Sequence, residues 1–442
     1  MLDLAILGTS LATAKGTWSI GVKGEKIVSV VPGEVPIAAQ KEIDAQGKVT
    51  LPGLIDSHVH TRDPGYPQKE DTHSAAMAAA AGGVTTIMAM PNCNPPMTTE
   101  AAIRYAMGHT VKQDYVDLCL VGGLCGAAAG WGPTAVQAGA VALDIYDDLF
   151  AYGTKTWISV FQAAKQAAVP VCFYLMDSAM ERLRRSRQAE AGASEVEQIA
   201  GATDGRTEAI SISRIFPMAD YFQVPVVLRM VTTARALETV RQMRYLYPEA
   251  RVYVEVCIPY LFLTREALLE RGSRAHIHPP LRSEEDAEAL WAGISDGTVD
   301  YLATDHAPHA EGEKDRTQLS DCASGIVGLE TMLPLLLDAC AKGKLSMTDI
   351  HRLCCQAPAQ IYGLAQKGDI RVGGDADLVL VDPSQHWHVR SRYTRGAPGP
   401  FENQQLQGKL CMTIHRGKII MRDVRGIPTI GVSKYERAEK LV

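Results

Sequence analysis

The sequence predicts an α/β protein: a (β/α)₈ TIM-like barrel in the middle of the chain, with a small β-sandwich domain formed by the N- and C-terminal segments. Three observations carry this. Eight short apolar runs, separated by helical stretches, fill the central region at the spacing of strand–helix repeats. Both ends instead show short apolar alternations bounded by turn residues, the texture of antiparallel strands. At 442 residues the chain exceeds one ordinary domain and suits a large α/β unit plus a smaller one.

Residues 1–51 form the N-terminal part of the sandwich, with alternations at 4–7, 18–22 and 26–31. Residues 52–364 form the barrel. Its strand candidates are 53–58, 85–90, 116–121, 141–146, 169–174, 224–229, 251–256 and 299–304, and helical stretches such as 72–81 and 283–295 lie between them. Residues 365–442 complete the sandwich, with runs at 376–381 and 412–420 that can pair with the first segment. The polar stretches 182–206 and 309–324 are expected as excursions on the barrel surface.

Composition narrows the function classes. Hydrophobic residues at 46% and charged residues at 21% describe a soluble globular protein with an ample core. The net charge of −6 comes from 44 basic and 50 acidic residues mixed along the chain, with no basic stripe for nucleic acid. The ten cysteines are scattered without a Cys-x-x-Cys pair, which favours a reducing, cytoplasmic setting. The N-terminus lacks the basic start and cleavage site of a signal peptide. The uncharged run 118–143 is long enough for a membrane span, but its six glycines and Pro133 read as a strand followed by a loop.

Twelve histidines occur in the chain, and none falls between His109 and His276. His58 and His60 close the first barrel strand at a spacing of two, which turns both imidazoles to one face and within reach of one metal ion. Two partly buried polar residues would explain a lone pair of this kind. The strand-end position and the adjoining Arg62 favour ligation, because a barrel places its active site at the C-terminal ends of its strands. Asp305 closes the last strand, ahead of His306 and His309. A carboxylate there can bind metal and carry a proton from an attacking water to a leaving nitrogen, where a lone aspartate would only cap a turn.

These segments resemble the cyclic amidohydrolases, and among them the dihydroorotases. The resemblance runs through nearly the whole chain: His58-Val59-His60-Thr61-Arg62-Asp63-Pro64-Gly65, Met90-Pro91-Asn92, Pro279-Pro280-Leu281-Arg282, Thr304-Asp305-His306-Ala307-Pro308-His309 and Gly373-Gly374-Asp375-Ala376-Asp377-Leu378 all carry it. It implies reversible hydrolysis of a cyclic amide such as dihydroorotate. It implies zinc held by His58, His60 and Asp305, with Asp144 (or Asp147 or Asp148) in place of the family's carboxylated lysine. Asp305 would also shuttle the proton. Arg62 and Asn92 would grip the substrate carboxylate, a planar anion suited to a guanidinium fork, and His309 would be a further substrate contact.

The centre of the barrel departs from that pattern. Tyr174 and Met230 stand where the family has histidines, Tyr260 lies in a segment that usually carries two more, and His278 replaces an asparagine. A thioether is a poor zinc ligand, and core packing accounts for Met230. Three readings follow: a dihydroorotase-like hydrolase with one metal ion, a silent subunit that scaffolds a partner such as aspartate transcarbamoylase, or an allantoinase- or hydantoinase-like hydrolase of another cyclic ureide. Barrels of this kind also imply a homo-oligomer.

Overall fold

The computed structural model of the chain describes residues 1–110, 113–124, 134–146, 153–424 and 427–430. Five strands open it: β1 (Leu2–Leu11), β2 (Ala14–Lys23), β3 (Lys26–Pro32), β4 (Ala39–Asp44) and β5 (Val49–Pro52). The barrel strands follow: β6 (Leu54–Val59), β7 (Val84–Ala89), β8 (Asp117–Leu124), β9 (Ala142–Ile145), β10 (Val171–Tyr174), β11 (Val226–Arg229), β12 (Val252–Cys257) and β13 (Tyr301–Ala303). Four more follow among the described residues: β14 (Leu378–His388), β15 (Gln405–His415), β16 (Lys418–Val424) and β17 (Ile427–Ile430).

Strands β6 to β13 lie side by side in sequence order, every neighbouring pair parallel. A parallel bridge between Val59 and His306 and a 2.8 Å hydrogen bond from the His60 N–H to the His306 carbonyl join the last strand to the first. These strands are buried along nearly their whole length, as they must be with helices outside and packed side chains within. Each of the eight sequence candidates corresponds to one strand. Those at Val171 and Val226 begin two residues later than the sequence suggests, because Pro170 and Pro225 have no N–H to give the ladder.

The helix Thr72–Ala81 starts where Asp71 accepts the Ser74 N–H and ends at Gly82, whose missing Cβ leaves room for the Leu329 carbonyl. The helix Glu284–Ser295 is capped by Ser283. The excursion after β10 carries the helices Ser178–Glu190 and Glu195–Ala200.

The two chain ends meet in one nine-stranded, mostly antiparallel sheet, in which β14 pairs with β5. Leu4, Ile6, Ile20, Val22, Ile27, Leu378, Leu380 and Ile414 form its own apolar core. The run 412–420 is a hairpin rather than one strand: Arg416 and Gly417 turn the chain at φ 47° and 76°, the left-handed pair of a tight two-residue turn. After β14 the chain returns to the mouth of the barrel. There the Glu330 carboxylate accepts the N–H groups of Arg392, Tyr393 and Thr394, and the Ala397 N–H donates to the His309 carbonyl. The segment between β14 and β15 thus helps to fix the loop that carries His309. No helix of the described residues is long and apolar enough to cross a membrane.

Candidate active site

At the C-terminal mouth of the barrel lies a cavity of about 360 Å³. His58, His60, Arg62, Asn92, Asp305 and His309 line it together with Tyr146, Tyr174, Met176, Met230 and His278. Strand-end geometry puts them there. Arg62, Met230 and Asp305 follow β6, β11 and β13 with φ of 59°, 55° and 50°. Left-handed backbone at a non-glycine residue costs on the order of 1–3 kcal/mol, and here it bends the chain sharply where it leaves the barrel. Gly325, at φ 135°, lies so close to Ala307 and His309 that a Cβ would meet the Ala307 carbonyl at 2.6 Å.

Asp56 aligns the first and last strands. It is fully buried, its Oδ1 accepts the N–H groups of His58 and Thr304, and its Oδ2 accepts the Thr304 hydroxyl at 2.5 Å. Burial pushes its carboxyl up to about 6 although Thr304 opposes the shift. The strand ends bearing His58 and Asp305 are thereby held in register.

Each imidazole is oriented from behind. His58 Nδ1–H donates to Glu255 Oε1 at 2.8 Å, and His60 Nδ1–H donates to Asn92 Oδ1 at 2.8 Å. Their Nε2 atoms therefore face forward, 3.4 and 3.2 Å from the same Asp305 oxygen. Burial and the nearby Arg62 hold His60 down at about 4 despite its contact with Asp305, so at neutral pH its single proton sits on Nδ1. An imidazole lone pair then faces a carboxylate oxygen with no proton between them. Such an arrangement fits a cation, and second-sphere partners on Nδ1 are the usual way a ligating histidine is aimed. These three donor atoms lie within 4.8 Å of one another.

Among the described residues, two other clusters have the residue types of a metal site. Glu255 and Cys257 lie near His58, but Glu255 already holds its Nδ1–H, and burial keeps Cys257 a thiol. Asp117, Asp377 and His415 meet between barrel and end sheet, where Lys367 already bridges the two carboxylates at 2.5 Å each.

Arg62 lies beside the trio. Its Nε donates to the Pro308 carbonyl, and its Nη2 lies 3.1 Å from His309 Nε2. His309 is held down at about 3 by burial, with Arg62 and Lys69 adding to it, and is neutral. Lys69 can only donate to its Nδ1, so Nε2 carries the proton and donates to the Ser324 carbonyl at 2.9 Å. Asn92 uses its oxygen on His60, which leaves its amide N–H groups as its means of holding a ligand.

Asp144 is placed differently. It lies on β9 with neither carboxylate oxygen exposed and is bound through Oδ2 to Arg229 Nε at 2.6 Å. It does not belong to the His58–His60–Asp305 group. Asp147 and Asp148 lie outside the described residues. Tyr174 and Tyr260 donate to the His278 and Pro279 carbonyls at 2.9 and 2.7 Å. They hold the segment of His278 and Pro279, while Met230 is buried and faces the cavity. Glu255 and Arg229 are not among the residues that the motifs single out. Their one signal is a charge inside an otherwise apolar parallel strand, where a charge survives only with a partner.

A profile described as "Amidohydrolase family" matches residues 233–420, and one described as "Dihydro-orotase-like" matches residues 47–113. Among curated proteins, a dihydroorotase of Acetivibrio thermocellus is 30% identical over 405 residues, 90% of this chain and 93% of the relative. One of Clostridioides difficile is 33% identical over 408 residues, covering 90% of this chain and 94% of its own. The chain belongs to the dihydroorotase family of amidohydrolases. A dihydroorotase of Methanothermobacter thermautotrophicus, 32% identical over 425 residues, extends the match to 96% of this chain and 95% of the relative. Among solved structures, an L-hydantoinase from Arthrobacter aurescens superposes with a TM-score of 0.89 at 24% identity, covering 95% of this chain and 96% of that one. A D-hydantoinase from a Bacillus species gives 0.85 at 21% identity, covering 97% of each chain. The fold is therefore common to dihydroorotases and hydantoinases, and the family membership makes this chain a dihydroorotase-like cyclic amidohydrolase.

Proposed function

We propose that the chain reversibly hydrolyses the ring amide of dihydroorotate to N-carbamoyl-aspartate, using a single zinc ion held by His58, His60 and Asp305. The observation that carries this reading is the convergence of two oriented Nε2 atoms on one Asp305 oxygen, in a cavity that also presents Arg62 and Asn92. Bound there, a divalent ion supplies Lewis-acid polarisation of the ring carbonyl and eases deprotonation of water.

The remaining work falls to the chain. Arg62 and Asn92 fix the substrate carboxylate by charge-assisted hydrogen bonds, and the neutral His309 adds a contact beside them. Asp305 accepts a proton from the attacking water as the new C–O bond forms, then delivers it to the ring nitrogen as the C–N bond breaks. Tyr146, Tyr174 and Met230 line the cavity around the ring. The protein is further read as a cytoplasmic homo-oligomer; the nine described cysteines, all free, accord with a reducing compartment.

A second reading, a silent subunit that scaffolds aspartate transcarbamoylase, draws on Tyr174 and Tyr260, which hold a loop instead of facing a metal. Metal analysis of purified protein combined with a dihydroorotate assay separates the two. Zinc with turnover that disappears in Asp305→Ala supports the hydrolase. No metal and no turnover sinks it, while zinc without dihydroorotate turnover moves the substrate to another cyclic ureide such as a hydantoin or allantoin.

A further inference from the structure

The barrel interior on the side of β9, β11 and β12 carries charge of its own. Arg229, at the end of β11, is completely buried between carboxylates from two other strands. Its Nε donates to Asp144 Oδ2 at 2.6 Å, and its Nη1 donates to Glu255 Oε2 at 2.7 Å and to the Ser57 carbonyl at 3.2 Å. The Tyr301 hydroxyl donates to the same Glu255 oxygen at 2.6 Å, and the other Glu255 oxygen accepts the His58 Nδ1–H. Among the described residues, Asp144 Oδ1 and Arg229 Nη2, both buried, have no hydrogen-bond partner.

Without the guanidinium, Asp144, Glu255 and their surroundings would be a buried concentration of oxygen donors, a setting that suits a divalent cation. With it, the cluster already holds a cation that cannot lose its proton and cannot leave. A metal ion entering here would have to separate Arg229 from Asp144 and then sit against a fixed positive charge. We infer that Arg229 is the built-in cation of this site: it closes the Asp144–Glu255 cluster to metal and, through Glu255, holds His58 with Nε2 turned to Asp305. Arg229 is in this sense a positioning residue, two hydrogen bonds behind His58. The inference rests on the one-metal reading for its consequence in catalysis, but the exclusion of a cation by Arg229 is separate from it.

Zinc retained by the full chain, measured by elemental analysis after saturation with zinc chloride and gel filtration, tests this. The wild type and Arg229→Lys, which keeps the charge, should each retain one equivalent. Arg229→Ala should retain two, and Arg229→Ala with Asp144→Asn should return to one. Two equivalents in the wild type, or one in Arg229→Ala, overturns the inference while leaving the hydrolase reading intact. No zinc in the wild type but one equivalent in Arg229→Ala sinks the metal-hydrolase reading and supports the exclusion; none in either overturns both. If Arg229→Ala is recovered only by refolding, its yield should rise with added zinc while those of the wild type and Arg229→Lys do not, and a yield indifferent to zinc overturns the inference.

Discussion

The two sides of the barrel mouth solve the same electrostatic problem in opposite ways. On the side of β6 and β13, polar groups are buried with their partners placed behind them, so that His58 and His60 turn their Nε2 atoms to one Asp305 oxygen. On the side of β9, β11 and β12, the charges spend themselves on each other, with Asp144 and Glu255 facing Arg229. The difference teaches what turns a strand end into a reactive site. Charge alone does not suffice; what matters is whether the neighbouring strand supplies an orienting partner or a neutralising one. Glu255 does both, holding His58 with one oxygen and Arg229 with the other.

That contrast can be broken from either side. The largest effect should come from Asp305→Ala, which removes both a proposed ligand and the proposed proton carrier: turnover should fall by at least about 10³-fold. Circular dichroism should show the fold retained, and residual activity within tenfold of the wild type would remove Asp305 from the chemistry. Next, Arg229→Met leaves two buried carboxylates without their cation. The metal-free protein should lose on the order of 3–5 kcal/mol in urea unfolding, because an uncompensated buried charge is far costlier than the pair is stabilising.

A pH series sharpens the same point without mutation. Burial alone would raise the Glu255 carboxyl, but Arg229 and His58 outweigh it and bring it from 4.5 down to about 2. A carboxylate depressed in the fold contributes stability that is present above its unfolded value and lost as pH falls through the folded one. The metal-free protein should therefore lose on the order of 3 kcal/mol from this group between about pH 4.5 and pH 2. In Glu255→Gln, that stretch of the stability–pH curve should flatten. The smallest effect belongs to a tyrosine of the cavity: Tyr174→Phe removes the hydrogen bond to the His278 carbonyl and should cost about 1 kcal/mol, with the loss of activity below tenfold.

Much of this architecture is legible in the residues alone. Continuous apolar runs of four to six residues suit strands covered on both faces, and each of the eight corresponds to a barrel strand. His58 and His60 declare a shared face through a spacing of two, and the position of Asp305 at a strand end places it at the mouth. What stays hidden involves partners far apart in sequence. Asp144 reads as a metal-ligand candidate because nothing local reveals that Arg229, 85 positions later, lies against it. Glu255 reads as one more residue of a strand, although it sits 197 positions from the imidazole it orients. Tyr174 and Tyr260 read as lost ligands, whereas their hydroxyls hold the loop at His278 and Pro279.

The sequence by itself determined the strands, their alternation with helices and one metal-capable edge, because periodicity and spacing are local properties of a chain. Only the tertiary structure decided which charges meet. Closing eight strands into a ring brings β6, β9, β11 and β12 to a common interior where water cannot screen or satisfy a charge. In that interior each ionised group must be paired, and the choice of partner leaves His58 and His60 open to a ligand and Asp144 bound to Arg229.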